Sequence, residues 1–334
     1  MASHTNGKCK VCSKPAGTRC SRCAEGVEYD GSPSAAVHYC SSGCQKSDFP
    51  SHKKACKTSH NRKLLYRAAS FAQATFYALQ KSTFQLNVTE VVPDSATKKL
   101  RVFVGGTNAD QAANPLDLFK DDRALHSALA TWSSSNDPFE ASMLAQTFVR
   151  LTFFGIADIV ALLKFKPPAA SRTVEFASTA IDSKPVETSQ DGEHVVLIIG
   201  TEDGFFALDV AGAELGIHEP LVPVPLYMQK FVEIRKVTMH KQARDAVEFL
   251  SRWLCADPVT VQGPQVSKAI DKLAAARTQM IMQCNLIKNF VLDKRATDLT
   301  KVLAGRREVF EDFVSEAAKE LVANMPKSMS SQSK

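Results

Sequence analysis

The chain contains 334 residues, with 41 basic and 35 acidic side chains and a formal net charge of +6. Its 44% hydrophobic and 23% charged residues are typical of a globular protein and exclude a disordered or collagen-like chain. The charge excess is too small to indicate a nucleic-acid partner by itself. Residues 143–163, the most apolar stretch, are interrupted by Arg150 and Asp158, so we predict no membrane span. The N-terminal residues lack the apolar region of a signal peptide, and we expect an intracellular protein, nuclear or cytoplasmic.

The cysteines are concentrated near the N-terminus. Seven of the nine lie between Cys9 and Cys56. An odd number of closely spaced cysteines without an export signal favours metal-bound thiolates in a reducing compartment over disulfides. The remaining two, Cys255 and Cys284, fall in apolar helical patterns, where we expect small buried thiols.

Four pairs of metal-ligand residues occur within this region. They are Cys9 and Cys12, Cys20 and Cys23, Cys40 and Cys44, and His52 and Cys56. Eight such ligands predict two tetrahedral zinc sites, and because the protein fills every ligand position the ions would be structural. The C-x2-C pairs predict tight loops, whereas C-x3-C and H-x3-C predict short helices with both ligands on one face. Spacing alone leaves open whether the pairs share ions sequentially or in an interleaved way.

The segment YCSSGCQKSDFPSHKKAC, residues 39–56, resembles the second half of a MYND-type zinc finger, and the spacing of the first four cysteines matches its first half. The stretch ALDVAGAELG, residues 207–216, is similar to a segment of fungal proteins that carry this finger. The sequence departs from the family pattern in having Phe49 where tryptophan is usual and a longer insert at residues 24–39.

The resemblance implies a cross-braced ligand set, in which alternate pairs bind one ion. Cys9, Cys12, Cys40 and Cys44 would bind the first ion, and Cys20, Cys23, His52 and Cys56 the second.

The resemblance also implies a partner, since MYND fingers bind short proline-rich peptides. Gln45 and Phe49 would line the groove, with Tyr39 nearby; the alternative is that Phe49 and Tyr39 form the small core of the finger. With seven thiolates and two zinc ions counted, residues 1–60 carry a formal charge of +2, and their basic residues are scattered apart from Lys53, Lys54 and Lys57. We therefore predict a protein partner and no nucleic acid.

The hydrophobic pattern predicts three segments: a zinc finger at residues 1–60, an α+β domain at 61–325 and a disordered tail at 326–334. In the second segment we expect an antiparallel sheet covered by helices, followed by a helical C-terminal part. The expected helices are 52–79, 124–132, 141–163, two that begin near Gln242 and Pro264, and 296–325; the expected strands are 84–88, 100–104, 172–177, 194–200 and 205–210.

One pair of residues in the larger domain suggests chemistry. His194 and Asp209 are expected on adjacent strands, which is similar to part of a papain-like or transglutaminase-like site. A nucleophile is lacking, because no cysteine lies between Cys56 and Cys255. The Asn-His-x-Cys and Gly-x-Gly segments of SET methyltransferases do not occur, nor does a P-loop, a Gly-x-Ser-x-Gly, a His-Glu-x-x-His or a dinucleotide-binding glycine motif. The sequence favours an adaptor or regulatory interaction protein, with a degenerate or unrecognised hydrolase as the alternative.

Overall fold

The structure, a computed structural model, describes residues 7–84, 86–105, 115–136, 156–168, 171–178, 194–230, 238–240 and 299–324, with isolated positions between 141 and 153 and between 285 and 293. Several predicted features lie outside these residues: the helices near Gln242 and Pro264, both later cysteines (Cys255 and Cys284) and the tail 326–334. Among the described segments, none of the helices combines the length and the apolar character needed to cross a bilayer.

The N-terminal region consists of two small hairpins followed by a long helix. The strands are β1 (Gly7–Lys8), β2 (Pro15–Ala16), β3 (Thr18–Arg19) and β4 (His38–Tyr39), and β1 pairs with β2 and β3 with β4, both antiparallel. Helix α1 spans Ser42–Thr83, so it merges the two short helices expected around the ligand pairs with the helix expected at 52–79.

Helix α1 begins at a capping serine. The Ser41 Oγ accepts a hydrogen bond from the Cys44 backbone N at 3.2 Å, which satisfies one of the free donors of the first turn. Pro50 lies inside the helix and removes one backbone donor there without ending it. Leu65, Phe71 and Leu79 are fully buried and mark the face that contacts the rest of the molecule.

The larger domain is built on a five-stranded sheet in the order β11-β10-β9-β7-β12, with every pair antiparallel. Its strands are β7 (Asp158–Phe165), β9 (His194–Thr201), β10 (Gly204–Leu208), β11 (Leu221–Pro223) and β12 (Thr238–His240). The expected helix at 141–163 is wrong in its second half, because β7 occupies it and pairs with β9. A continuous apolar run fits a buried strand as well as a buried helix, which explains the error.

A second sheet has three strands in the order β5-β6-β8. Its strands are β5 (Val88–Pro93), β6 (Leu100–Val104) and β8 (Val174–Ser178). The β5–β6 hairpin is antiparallel, whereas β6 and β8 are parallel, so the expected antiparallel arrangement holds with this one exception.

Helices complete the domain. They are α2 (Asp122–Asn136), α3 (Val224–Gln229), α4 (Leu299–Ala304) and α5 (Arg307–Ala323). The last two occupy the region predicted as one helix at 296–325, and the break falls at Gly305 and Arg306. The α+β class predicted from the sequence is confirmed.

The central strand β9 is buried on both sides of the five-stranded sheet. Leu197 and Ile199 belong to the core that includes α1, whereas Val196 and Ile198 pack on the opposite face with Tyr227. Alternate residues of a strand point to opposite faces, so β9 connects the two hydrophobic layers.

The insert at 24–39 attaches the finger to the larger domain. The Tyr29 hydroxyl donates to the Phe205 carbonyl at 3.1 Å, and the Tyr29 ring lies 5.0 Å from that of Phe206, between centroids. Gly204 has φ of 150°, and a Cβ there would lie 2.7 Å from the Tyr29 ring. This close approach requires glycine in the β9–β10 turn.

Two cations of α1 add a second attachment between the insert and the larger domain. The Lys63 Nζ donates to the carbonyls of Ala24 and Ala304, both at 3.0 Å. The Arg67 guanidinium donates to the Leu303 carbonyl at 2.8 Å and forms an ion pair with Glu25 at 2.7 Å. Cations are favourable beside the carbonyls at a helix C-terminus, here that of α4. Through these two side chains, α1 contacts both the insert of the finger and the C-terminal end of α4.

We expect Tyr29→Ala to lower the free energy of unfolding by about 2 kcal/mol, because it removes an aromatic contact and a hydrogen bond. Phe205→Ala, at a neighbouring side chain that is 56% exposed, is the control and should change stability by less than about 0.5 kcal/mol. Urea unfolding followed by circular dichroism measures both. Equal urea midpoints for the Tyr29 variant and the wild type would show that the Tyr29 contacts do not stabilise the protein.

Candidate metal centres

The first candidate site combines ligands from the β1–β2 turn and the start of α1. It contains Cys9, Cys12, Cys40 and Cys44. The Sγ atom of Cys12 lies 3.4 Å from that of Cys40 and 3.9 Å from that of Cys44. Zinc–sulfur bonds of about 2.3 Å in a tetrahedron place sulfurs about 3.8 Å apart, so the cluster fits a zinc ion. Cys40 precedes the Ser41 cap, so only Cys44 of this pair is helical, contrary to the sequence expectation.

The second site is made by the loop after β3 and by α1. It contains Cys20, Cys23, His52 and Cys56. The Cys23 Sγ lies 3.4 Å from the His52 Nε2, and the Sγ atoms of Cys20 and Cys56 lie 3.8 Å apart. His52 and Cys56 are one turn apart on α1, as the H-x3-C spacing predicted.

The ligand pairs alternate between the two groups, in the cross-braced order that the resemblance implies. The sites also differ in exposure: all four ligands of the second are buried, whereas Cys12 and Cys40 of the first are exposed. Each ligand atom lies within 4.8 Å of the other three in its group.

The clustered thiols favour a cation electrostatically. Burial, and then contact with Cys20, raises the pKa of Cys23 to about 12. Contacts with Cys12 and Cys44 raise the pKa of Cys40 to about 12. The four thiols of the first site, or the three of the second, cannot all ionise beside one another unless a cation compensates their charge, which zinc would do. The protein fills all four positions of each site, as in structural zinc sites.

The three residues predicted near a peptide groove occupy different environments. Phe49 is 45% exposed, and Gln45 is partly buried on the same helix. Tyr39 is fully buried; its hydroxyl donates to the Asp48 carboxylate at 2.7 Å and its ring meets His52 edge-on. Tyr39 therefore belongs to the interior of the finger, where it contacts Asp48 and His52 of α1. Phe49, in contrast, faces solvent.

His194 and Asp209 lie together, as the sequence predicted, inside a larger buried network. The His194 Nε2 is 2.9 Å from the Asp209 Oδ2, and its Nδ1 is 2.5 Å from the Glu214 Oε1. Tyr227 donates to Asp209 at 2.7 Å, and Arg172 donates to Glu214 at 2.9 Å. None of these five side chains is more than 6% exposed.

This arrangement makes His194 a cation. Burial lowers its pKa, but Asp209 and Glu214 raise it more, to about 10. With Arg172, two positive groups then face two carboxylates. Both ring nitrogens donate to carboxylates, so neither can accept a proton from a nucleophile, and every cysteine described by the structure lies in the finger. The described network gives no support to the hydrolase alternative.

Glu214, Arg172 and Tyr227 were not predicted from the sequence. A signal for the first was present, because Glu214 is a lone acidic residue after Asp209 in an otherwise apolar segment. A carboxylate in such a segment is buried only with a partner, and His194 is that partner.

We expect metal analysis under reducing conditions to find two zinc ions per chain, and one after Cys20→Ser, because each site needs its full ligand set. Cys255→Ser, which lies outside the finger, is the matched control and should retain both ions. The thermal unfolding temperature of the Cys20 variant should also fall, since structural zinc contributes on the order of 10 kcal/mol. A single ion in the wild type would refute the two-site arrangement.

We expect His194→Gln to destabilise the protein by about 3–5 kcal/mol, because it leaves two carboxylates with one cation. His218→Gln, at a partly exposed histidine, serves as the control. The folded pKa of His194 lies above the usual 6.5, so its contribution is complete below pH 6.5 and declines as pH rises through about 10. The stability difference between wild type and variant, measured by urea unfolding from pH 6 to 10, should shrink accordingly; a difference independent of pH would contradict a charged His194.

Comparison with known proteins agrees with this geometry. Residues 9–56 match the family model of the MYND finger. Neither the curated proteins nor the solved structures gave a match. The matched residues begin at the first ligand and end at the last, and the two groups fit two structural zinc ions. In residues 9–56 the chain is therefore similar to the MYND finger.

Proposed function

We propose that the protein is an adaptor or regulatory protein whose finger binds short proline-rich segments of other proteins. A MYND finger supports a zinc-dependent role in protein interaction. The proposal adds the chemistry of the partner and assigns its contact surface to Phe49 and Gln45, on the outer face of α1.

The observation that carries the proposal is the exposure of Phe49. A phenylalanine that is 45% exposed is not the core of the finger, which is formed instead by Tyr39 and the ligands around it. Exposed aromatic side chains are the surfaces on which preformed proline-rich segments dock at low entropic cost. Aromatic residues also dominate the binding energy of small interfaces.

Hydrogen bonds beside Phe49 fix the conformation of the proposed contact surface, which favours binding of a partner. Asp48, the preceding residue, accepts hydrogen bonds from Tyr39 and from the Ser51 hydroxyl. These two bonds, the Tyr39 bond first, lower the pKa of Asp48. The zinc ligands Cys44 and His52 lie on either side of Phe49 on the same helix. A partner would therefore not have to order this surface on binding.

The attachment of the finger to the larger domain suits an adaptor. Through Tyr29, Lys63 and Arg67, the finger is fixed to the β9–β10 turn and the C-terminal helices. A partner bound at Phe49 would then have a defined orientation relative to the larger domain, which a flexible linker would not give.

We expect Phe49→Ala to weaken the affinity for a fluorescein-labelled proline-rich peptide by roughly 30-fold, equivalent to about 2 kcal/mol. The peptide is chosen by selection from a displayed library against the wild-type protein, and affinity is measured by fluorescence anisotropy. Zinc content should stay at two ions, because Phe49 is not packed in the interior.

Val11→Ala is the matched control, because Val11 is also 45% exposed. It should bind the same peptide within about twofold of the wild type. Unchanged affinity of the Phe49 variant would refute the assigned surface, and loss of zinc from that variant would show that Phe49 supports the fold instead.

A further inference from the structure

Carboxylates of the finger are engaged in internal contacts. Glu25 forms an ion pair with Arg67 at 2.7 Å, and Glu28 with Arg62 at 3.6 Å. The remaining two are Asp30, which accepts hydrogen bonds from Ser32, and Asp48, which accepts them from Tyr39 and Ser51. The first two are directed toward α1 beyond the zinc sites. Each of these four carboxylates therefore has an ion-pair or hydrogen-bond partner within the molecule.

The basic side chains of the finger, in contrast to its carboxylates, are mostly exposed and not paired with acidic residues. Residues 7–60 contain nine of them, and within the part of the chain that the structure describes only Lys57 forms an ion pair, with Glu202 at 2.9 Å. The other eight are exposed: Lys8, Lys10, Lys14, Arg19, Arg22, Lys46, Lys53 and Lys54. The finger thus presents its cations to solvent.

Two of these lysines flank the exposed aromatic residue. Lys46 and Lys53 stand three residues before and four residues after Phe49 on α1, which puts all three on one face of the helix. Lys54 is the next residue but lies on a different face, where it lines a groove of about 500 Å³ with Ala55. Phe49 is therefore bordered by a positive charge on each side along the helix axis.

From this arrangement we infer that the segment bound over Phe49 is acidic: carboxylates on both sides of its apolar, proline-containing centre contact Lys46 and Lys53. The inference rests on the proposed function and adds the charge of the partner. The centre of such a peptide would contact the Phe49 ring, and its carboxylates would contact the two lysines that flank this ring.

Nucleic acid fits the same surface less well. The seven thiolates offset much of the positive charge of the residues around the two zinc ions, leaving a formal +2 for residues 1–60. Binding to a phosphate backbone depends on many neutralised phosphates along one face. Two lysines beside an aromatic ring instead suit a short segment with one carboxylate on each side.

The test begins with selection of twelve-residue peptides from a random displayed library on the full-length, zinc-loaded protein. Enriched peptides should contain proline and an apolar residue with aspartate or glutamate on both sides. A synthetic acidic peptide and its Asp→Asn, Glu→Gln counterpart are then compared by fluorescence anisotropy, and the neutral form should bind roughly three- to tenfold more weakly at low salt.

Lys53→Glu and Lys54→Glu form the matched pair of variants, since they are neighbours with the same charge change on different faces. Lys53→Glu should weaken the acidic peptide by roughly three- to tenfold, and Lys54→Glu by less than about twofold. The difference should diminish in high salt, where exposed charges are screened. Zinc content and circular dichroism confirm that both variants are folded.

Other results would refute either the acidic partner or the proposed function, and the two cases can be distinguished. Enriched peptides that are neutral or basic, or equal losses for the two lysine variants, would refute the acidic partner while leaving the proposed function intact. Absence of any enriched peptide would refute the proposed function itself. Binding of a labelled single-stranded oligonucleotide more tightly than the acidic peptide, and dependent on Lys53, would assign the surface to nucleic acid instead.

Discussion

The finger and the larger domain share one helix, and most of the structure depends on its continuity. Helix α1 contributes Cys44 to the first zinc site, His52 and Cys56 to the second, and Leu65 with later residues to the main core. A helix of 42 residues extends over about 63 Å. Because the metal ligands and the core residues belong to this single element, the position of the finger is set by the same backbone that covers the five-stranded sheet.

Buried charges reinforce this arrangement at two places, with different acceptors. Lys63 and Arg67 donate to main-chain carbonyls at the end of α4, whereas His194 donates to two carboxylates. The main-chain acceptors lie 241 and 236 residues after Lys63 and Arg67, and the two carboxylates lie 15 and 20 residues after His194, so each contact fixes two separate segments against each other. Removal of one partner leaves the other buried without compensation, which makes such contacts specific to one packing.

The sequence predicted the metal ligands well because their spacing is a local property that chemistry restricts strongly. It predicted α1 through its apolar stripe, and the resemblance supplied the cross-braced pairing that spacing left open. It failed at β7, since an apolar run does not distinguish a strand from a helix until a partner strand is known. The role of Tyr29 was also missed: its contact with Phe206 joins positions far apart in sequence, and no local pattern encodes it.

The unequal burial of the two zinc sites has a kinetic consequence. A chelator or a metal-transferring protein must reach a ligand directly, and Cys12 and Cys40 of the first site are exposed to it, whereas the three cysteines of the second site are buried. The ion held by these exposed cysteines is therefore the one that exchanges first. An ion in the second site, whose three cysteines are buried, would exchange more slowly.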